Sequence, residues 1–478
     1  MDCPDKPGKD DGLNIEDHMT DTVNIMSPID GSIYASRKLA SGEEINSATA
    51  RARAAQRDWR NVPVAERVRI VGRMVDELLA MNDEIVPELA WQMGRPIRFG
   101  GEKRGVEERS RHMLAIAADA LAPMQRPEKA GFTRSIIHEP LGLVLVVAPW
   151  NYPFLTAANS IIPGLVAGNA VLLKHASQTL LAGERFAEAA KRAGLPAGLF
   201  QNLVMGHADT ETLIGSGQID HINFTGSVEG GRRIEKAAAG TFASLGLELG
   251  GKDPAYVRAD ADLDNAAENL ADGSFFNSGQ SCCGVERIYV HQNAYDGFVE
   301  RFIAHARTWT LGDPLNPDTI VGPMARGNFA DHVRQQTAEA VRAGALRHLN
   351  GSHAKDVAGS PWLAPEVLTG VNHQMSVMRE ESFGPVVGIM KVADDTEAVA
   401  LMNDSPYGLT ASIWTADLDQ AARIGADVET GTIFANRCDY LDPALVWTGV
   451  KDTGKGGALS EIGYHNLTQP KSFHLKHL

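Results

Sequence analysis

Between residues 170 and 248 the chain repeats a single unit, a short apolar strand followed by a helix. Strand-like segments at 170–173, 201–204, 221–224 and 243–248 alternate with helical ones at 181–193, 210–215 and 230–239. Parallel strands cannot be joined by tight turns and need a crossover, normally a helix. The alternation therefore predicts a parallel sheet covered by helices, the architecture of dinucleotide-binding domains. A second alternating series runs from 254 to about 434, with strands at 285–290, 386–389 and 412–414. Upstream the period is helical. Ile45, Ala48, Ala52 and Ala55 share one face of a segment that begins at Ser41, and two more helices are predicted at 64–81 and 107–121. Residues 133–147 are rich in Ile, Val and Leu, as strands are. The fold class expected is α/β, with two parallel-sheet domains.

Bulk properties narrow the partners. A chain of 478 residues implies about three domains. With 45 basic against 60 acidic residues its formal charge is -15, so it has no general attraction for nucleic acid or anionic lipid. Residues 141–148, the most apolar stretch, are too few to span a bilayer. The four cysteines, Cys3, Cys282, Cys283 and Cys438, show no CxxC spacing, so neither a disulfide framework nor a metal site is expected. The first 20 residues hold six carboxylates and no apolar core. They do not form a signal peptide; residues 1–22 read as a mobile leader and the cytoplasm as the default location.

Three segments carry chemistry. Cys282 lies in Asn277-Ser278-Gly279-Gln280-Ser281-Cys282-Cys283-Gly284, where a small turn delivers a thiol. Glu248 stands 34 residues upstream, between apolar neighbours and Gly250-Gly251. Asn151 sits in Pro149-Trp150-Asn151-Tyr152-Pro153. A nucleophilic thiol, a carboxylate base and an amide donor are what acyl chemistry through a thioester needs. An isolated cysteine is more often a small buried hydrophobe, and that reading is kept for Cys283. The prolines around Asn151 also make it a turn residue, and a turn would fix its amide.

Together these blocks resemble, in order and spacing, those of the aldehyde dehydrogenase superfamily, and the resemblance runs from about residue 25 to the C-terminus. It implies oxidation of a small-molecule aldehyde to an acid with NAD, NADP or both as hydride acceptor. Cys282 would be the nucleophile, Asn151 and the Cys282 N–H the oxyanion donors, and Glu248 the base that activates water. A CoA-dependent branch typically lacks that base, so Glu248 argues for hydrolysis. The resemblance also implies a cofactor domain (23–123 and 141–250), a catalytic domain (251–450) and an oligomerisation element (124–140 and 451–478) that makes a homodimer or homotetramer. Cofactor contacts would come from Trp150, Lys174, Ser177, Gly226, Ser227, Gly231, Glu381 and Phe383. Ser177 replaces a glutamate common in the family. It removes a charge that repels a 2'-phosphate, and His175 adds a possible donor, so NAD against NADP stays open.

Substrate contacts are expected from Tyr152, Thr156 and Asn159, at helical spacing after the Asn151 turn, and from Phe276. Related succinic semialdehyde dehydrogenases carry an arginine where Phe276 stands, which argues against a small dicarboxylic semialdehyde. Arg437 would either anchor an anion or form an ion pair, for example with Asp439.

Overall fold

The computed structural model describes residues 21–349 and 353–478. Apart from Asp21 and Thr22, the expected leader lies outside the described residues; Thr22 already opens a strand. Strands β1 (Thr22–Met26) and β2 (Ile33–Lys38) pair antiparallel. Four helices follow: α1 (Gly42–Trp59), α2 (Val64–Ala80), α3 (Asn82–Met93) and α4 (Lys103–Ala120). Ser41 starts α1 through a capping box. Its hydroxyl accepts from the Glu44 amide while the Glu44 carboxylate accepts from the Ser41 amide. Helix α3 has no counterpart in the sequence reading; Pro87 within it and the absence of a side-chain cap hide its period.

The stretch 133–147 divides between two sheets. Strand β3 (Met124–Gln125) and strand β4 (Phe132–Pro140) form a hairpin, and β5 (Leu143–Ala148) enters the centre of the first large sheet. Gly142, at φ 131, turns the chain between them, and its amide is held by Asn169 Oδ1 at 2.8 Å. From β5 the chain runs through α5 (Pro153–Ala167), β6 (Ala170–His175), α6 (Leu180–Arg192), β7 (Phe200–Asn202), α7 (His207–Gly215), β8 (His221–Thr225), α8 (Val228–Ala238) and β9 (Ser244–Glu248). Every residue of β5 and β6 is buried, as expected of strands covered on both faces.

The second unit comprises β10 (Asp253–Val257), α9 (Leu263–Phe275), β11 (Val285–His291), α10 (Tyr295–Ala306), α11 (Gly327–Arg342), β12 (Leu346–Arg347), β13 (Glu366–Thr369), β14 (Val386–Val392), β15 (Thr410–Trp414) and β16 (Thr432–Ala435). Its sheet order is β12-β13-β14-β11-β10-β15-β16, parallel except for β12. Two strands close the chain, β17 (Gly454–Lys455) and β18 (Thr468–Lys476). The first sheet has the order β17-β9-β8-β5-β6-β7, so β17, counted with the C-terminal element in the sequence, instead closes the β9 edge. Strand β18 pairs with β4 along all nine residues.

Strand order reverses at β5, with β6 on one side and β8 on the other. Such a reversal opens a crevice at the carboxyl ends of the strands. Trp150 and Asn151 follow β5, Gly226 and Ser227 follow β8, and Glu248 ends β9. Three of the expected site segments therefore share one edge of the sheet.

Candidate active site

Asn151 is held from both sides. Its backbone carbonyl accepts from Arg95 Nη2 at 2.8 Å and from Asn277 Nδ2 at 3.1 Å. Its side-chain amide donates to the Gln280 carbonyl at 3.2 Å, two residues before Cys282. Arg95 is itself fixed by Glu102 at 2.6 Å. The other Glu102 oxygen accepts the first amides of α5, from Phe154 at 3.0 Å and Leu155 at 2.7 Å. Tyr152 offers α5 no side-chain cap, so Glu102 caps this helix from another part of the chain. No short-range sequence pattern announces that role.

The thiol loop is strained and then pinned. Asn277 (φ 53), Ser278 (φ 58) and Gly279 (φ 69) are consecutive left-handed residues. Such a conformation costs a non-glycine residue roughly 1–2 kcal/mol. At Gly279 a Cβ would lie 2.3 Å from the Gly384 carbonyl, so the closeness of the two loops requires glycine. Ser278 Oγ donates to the Gly322 carbonyl at 2.8 Å, and Gln280 Oε1 accepts from the Ala325 amide at 2.8 Å. The two adjacent thiols face different surroundings. Cys282 keeps accessible surface. Cys283 is buried and donates to Asp439 Oδ1 at 2.9 Å, an oxygen that also accepts from Ser281 Oγ at 3.0 Å. The contact with Cys282, followed by burial, pushes the Cys283 thiol well up, which keeps it protonated.

Glu248 is brought to this loop by the Gly250-Gly251 turn. A Cβ on Gly251 would lie 2.4 Å from the Cys282 carbonyl oxygen. Burial raises the Glu248 carboxyl to about 7; a 3.3 Å hydrogen bond from Thr225 Oγ1 and the charge of Arg109 oppose that rise. A carboxyl poised near neutrality suits a general base.

The cofactor candidates gather at the same edge. Ser227 caps α8 by accepting from the Gly230 amide at 3.1 Å. Side chains at Gly226 or Gly231 would collide with Phe224 and Leu249, so α8 can start hard against the sheet. Its free N-terminal amides and dipole suit a pyrophosphate. Lys174 is buried at the end of β6, forms no ion pair among the described residues, and is lowered to about 8 by burial. An anionic or hydroxyl-rich ligand would complete it. Ser177 receives Arg326 Nη2 at 3.4 Å, a cation absent from the sequence reading. His175 does not serve as the donor expected there. Its ring is buried between the Pro153 carbonyl (3.1 Å) and Thr179 Oγ1 (3.3 Å), and burial lowers it to about 4. Trp150 stacks on Phe329 and meets Phe383 edge-on at 5.6 Å. Glu381 accepts from the Gly251 amide at 2.9 Å, next to the turn that carries Glu248. The loop before β14 is fixed by Glu286, which accepts the Ser382 and Phe383 amides at 2.8 and 2.9 Å and pairs with the buried Lys252 at 2.5 Å.

Of the expected substrate residues, Tyr152, Thr156 and Asn159 lie at the start of α5, with Thr156 Oγ1 bonded to the Tyr152 carbonyl at 2.7 Å. Phe276 meets Phe99 edge-on at 4.8 Å. Arg437 is exposed, and its guanidinium lies over the Tyr440 ring. Asp439, its expected ion-pair partner, turns instead to Ser281 and Cys283. One residue here escaped the sequence reading. Arg109 on α4 reaches Asn159 Oδ1 at 3.4 Å, and its charge favours the ionised forms of Glu248 and Asp439. An arginine at the inward-facing period of Val106 and Met113 was the available signal.

Comparison with known proteins gives the family. Residues 15–473 match the model of the aldehyde dehydrogenase family. The chain is 36% identical to an aldehyde dehydrogenase of Paenarthrobacter nicotinovorans, over 90% of this chain and 94% of that one. It is 33% identical to succinate-semialdehyde dehydrogenase [NADP(+)] 1 of Mycobacterium ulcerans, over 93% and 98%. The solved NAD-dependent aldehyde dehydrogenase of Sinorhizobium meliloti superposes with a TM-score of 0.89 at 32% identity, covering 95% of this chain and 91% of that one. The chain therefore belongs to the aldehyde dehydrogenase family and is an NAD(P)-dependent enzyme that oxidises an aldehyde to a carboxylic acid.

Proposed function

We propose that Cys282 performs the covalent step. Its sulfur attacks the aldehyde carbon, and the Asn151 amide and the Cys282 N–H hold the oxygen as it becomes negative. Preorganised donors of this kind are worth about 3 kcal/mol each. Bound nicotinamide supplies the hydride acceptor, and oxidation at the carbon leaves a thioester on Cys282. Glu248 then takes a proton from the water that cleaves the thioester and frees the acid. The observation that carries this reading is the contrast between the two thiols: Cys282 keeps accessible surface on a loop that meets the Gly250-Gly251 turn after Glu248 and the Asn151 turn, while Cys283 is buried on Asp439. The test is a panel of aldehydes with NAD and with NADP, read by reduced nucleotide and by product. Free acid is expected. Acyl-CoA on addition of CoA would remove the role given to Glu248, and silence across the panel would overturn the reading.

Trp150, Lys174, Ser177, Gly226, Ser227, Gly231, Glu381 and Phe383 are proposed to hold the nucleotide. At Ser177 the local charge favours use of both cofactors: Lys174 and Arg326 are cationic neighbours and no carboxylate replaces the serine. Ser177→Glu is expected to weaken NADP more than NAD, because a carboxylate beside a 2'-phosphate is a like-charge contact costing several kcal/mol. Nucleotide titration of the variant checks this; equal loss of both cofactors would mean that residue 177 does not face the 2'-position.

Residues 23–123 and 141–250 are proposed as the cofactor domain and 251–450 as the catalytic domain. Strand β18, nine residues long and mostly exposed at the edge of its sheet, offers unpaired backbone for a second copy. We infer a homodimer or homotetramer built on it. Free thiols at Cys282, Cys283 and Cys438 suit a reducing, cytoplasmic setting.

A further inference from the structure

Arg109 is a cation that forms no ion pair among the described residues. It is closely surrounded by protein yet keeps some accessible surface. A guanidinium has five N–H donors. Here one makes a single long bond, to Asn159 Oδ1 at 3.4 Å, and Arg109 forms no ion pair among the described residues. Its neighbour Arg95, equally enclosed, is satisfied by Glu102, Asn277 and the Asn151 carbonyl.

The acidic groups that face Arg109 are engaged elsewhere. Glu102 is taken by Arg95 and two α5 amides. Asp439 is taken by Ser281 and Cys283. Glu248 receives Thr225. Burial draws the Glu248 and Asp439 carboxyls toward their neutral forms, so they compensate Arg109 weakly. A guanidinium remains charged at neutral pH, and an enclosed charge without a partner is costly. An anion bound at its accessible edge would remove that cost.

Arg109 also has a fitting position. Asn159 lies eight residues after Asn151, and six of those steps are on α5 from Pro153, about 9 Å of helix rise. Tyr152, Thr156 and Asn159 line the same side of α5 between them. A short chain bonded to Cys282 would thus run along α5 toward Arg109. Phe276 occupies the thiol-loop position where an arginine was sought, and Arg109 brings the charge from α4 instead.

We propose that Arg109 is the specificity-determining cation of this site and that the preferred substrate is a short aldehyde bearing a carboxylate at its far end. The proposal rests on the reading of Cys282 as the attacking group. The test compares kcat/KM for succinic semialdehyde and for butanal, which lacks the carboxylate. Wild-type enzyme should prefer the former, chiefly through KM. In Arg109→Leu the ratio of the two kcat/KM values should fall roughly 10- to 100-fold, the span of one lost charge-assisted hydrogen bond. Arg109→Lys should fall between. Calorimetry on wild-type enzyme needs neither variant nor turnover: succinate should bind and 1-butanol should not. A wild-type ratio near one, or equal losses for both aldehydes in Arg109→Leu, would overturn the proposal and leave Arg109 a role in the chemical step or the fold. If neither aldehyde is oxidised while succinate binds through Arg109, the reaction reading fails and the anion site stands. If both aldehydes are oxidised alike and succinate does not bind, the reverse holds.

Discussion

Cys282→Ala is expected to eliminate aldehyde oxidation while nucleotide still binds and the protein still melts cooperatively. Among the described residues no other accessible thiol stands beside the Gly250-Gly251 turn and the Asn151 amide, so the carbon–sulfur bond has no substitute there. The loop should survive the change, because its shape is held by Ser278, Gln280 and the glycine contact at Gly279 rather than by the Cys282 side chain. Cys283→Ala is expected to be far milder for turnover. It removes one hydrogen bond to Asp439, worth about 1 kcal/mol of stability, and Ser281 still satisfies that oxygen. Steady-state assays of both variants, with nucleotide titration as a control for folding, decide the matter. A silent Cys283→Ala beside an active Cys282→Ala would reverse the assignment.

The second large effect is expected from Glu248→Gln. Removing a positioned base costs roughly 10²–10⁴-fold in the step it serves. That step is cleavage of the thioester, so rapid mixing should show a burst of reduced nucleotide followed by slow turnover. The pH dependence has a definite sign. The base acts as the carboxylate, and burial raises Glu248 to about 7. Below that pH its carboxylate fraction, and with it the steady-state rate, should fall as pH drops. The limb should vanish in Glu248→Gln. Equal loss of burst and steady state would place Glu248 in the first step or in the structure alone.

Much of this protein is written locally. The α/β architecture could be read from the alternation because a buried parallel strand needs a short apolar run and its crossover needs an amphipathic helix, and both periods depend on nearby residues only. The candidates Cys282, Glu248 and Asn151 were legible for a related reason. Each sits in or beside a turn marked by glycine or proline, and Gly279, at φ 69, shows the local backbone demand. Helix α3 was missed where Pro87 blurred the period, and β17 was misplaced because two residues carry no pattern at all.

What the sequence by itself determined is the alternation of strands and helices and the candidate reactive groups. Only the tertiary structure decided which groups are free to act. Adjacent thiols diverge because Asp439, more than 150 residues away, takes one of them. His175 turns inward because the Pro153 carbonyl needs a donor. Arg109 forms no ion pair among the described residues because Glu102 and Asp439 are already engaged. Burial and hydrogen bonding depend on residues distant in sequence, and they set the charge, access and reactivity of each side chain.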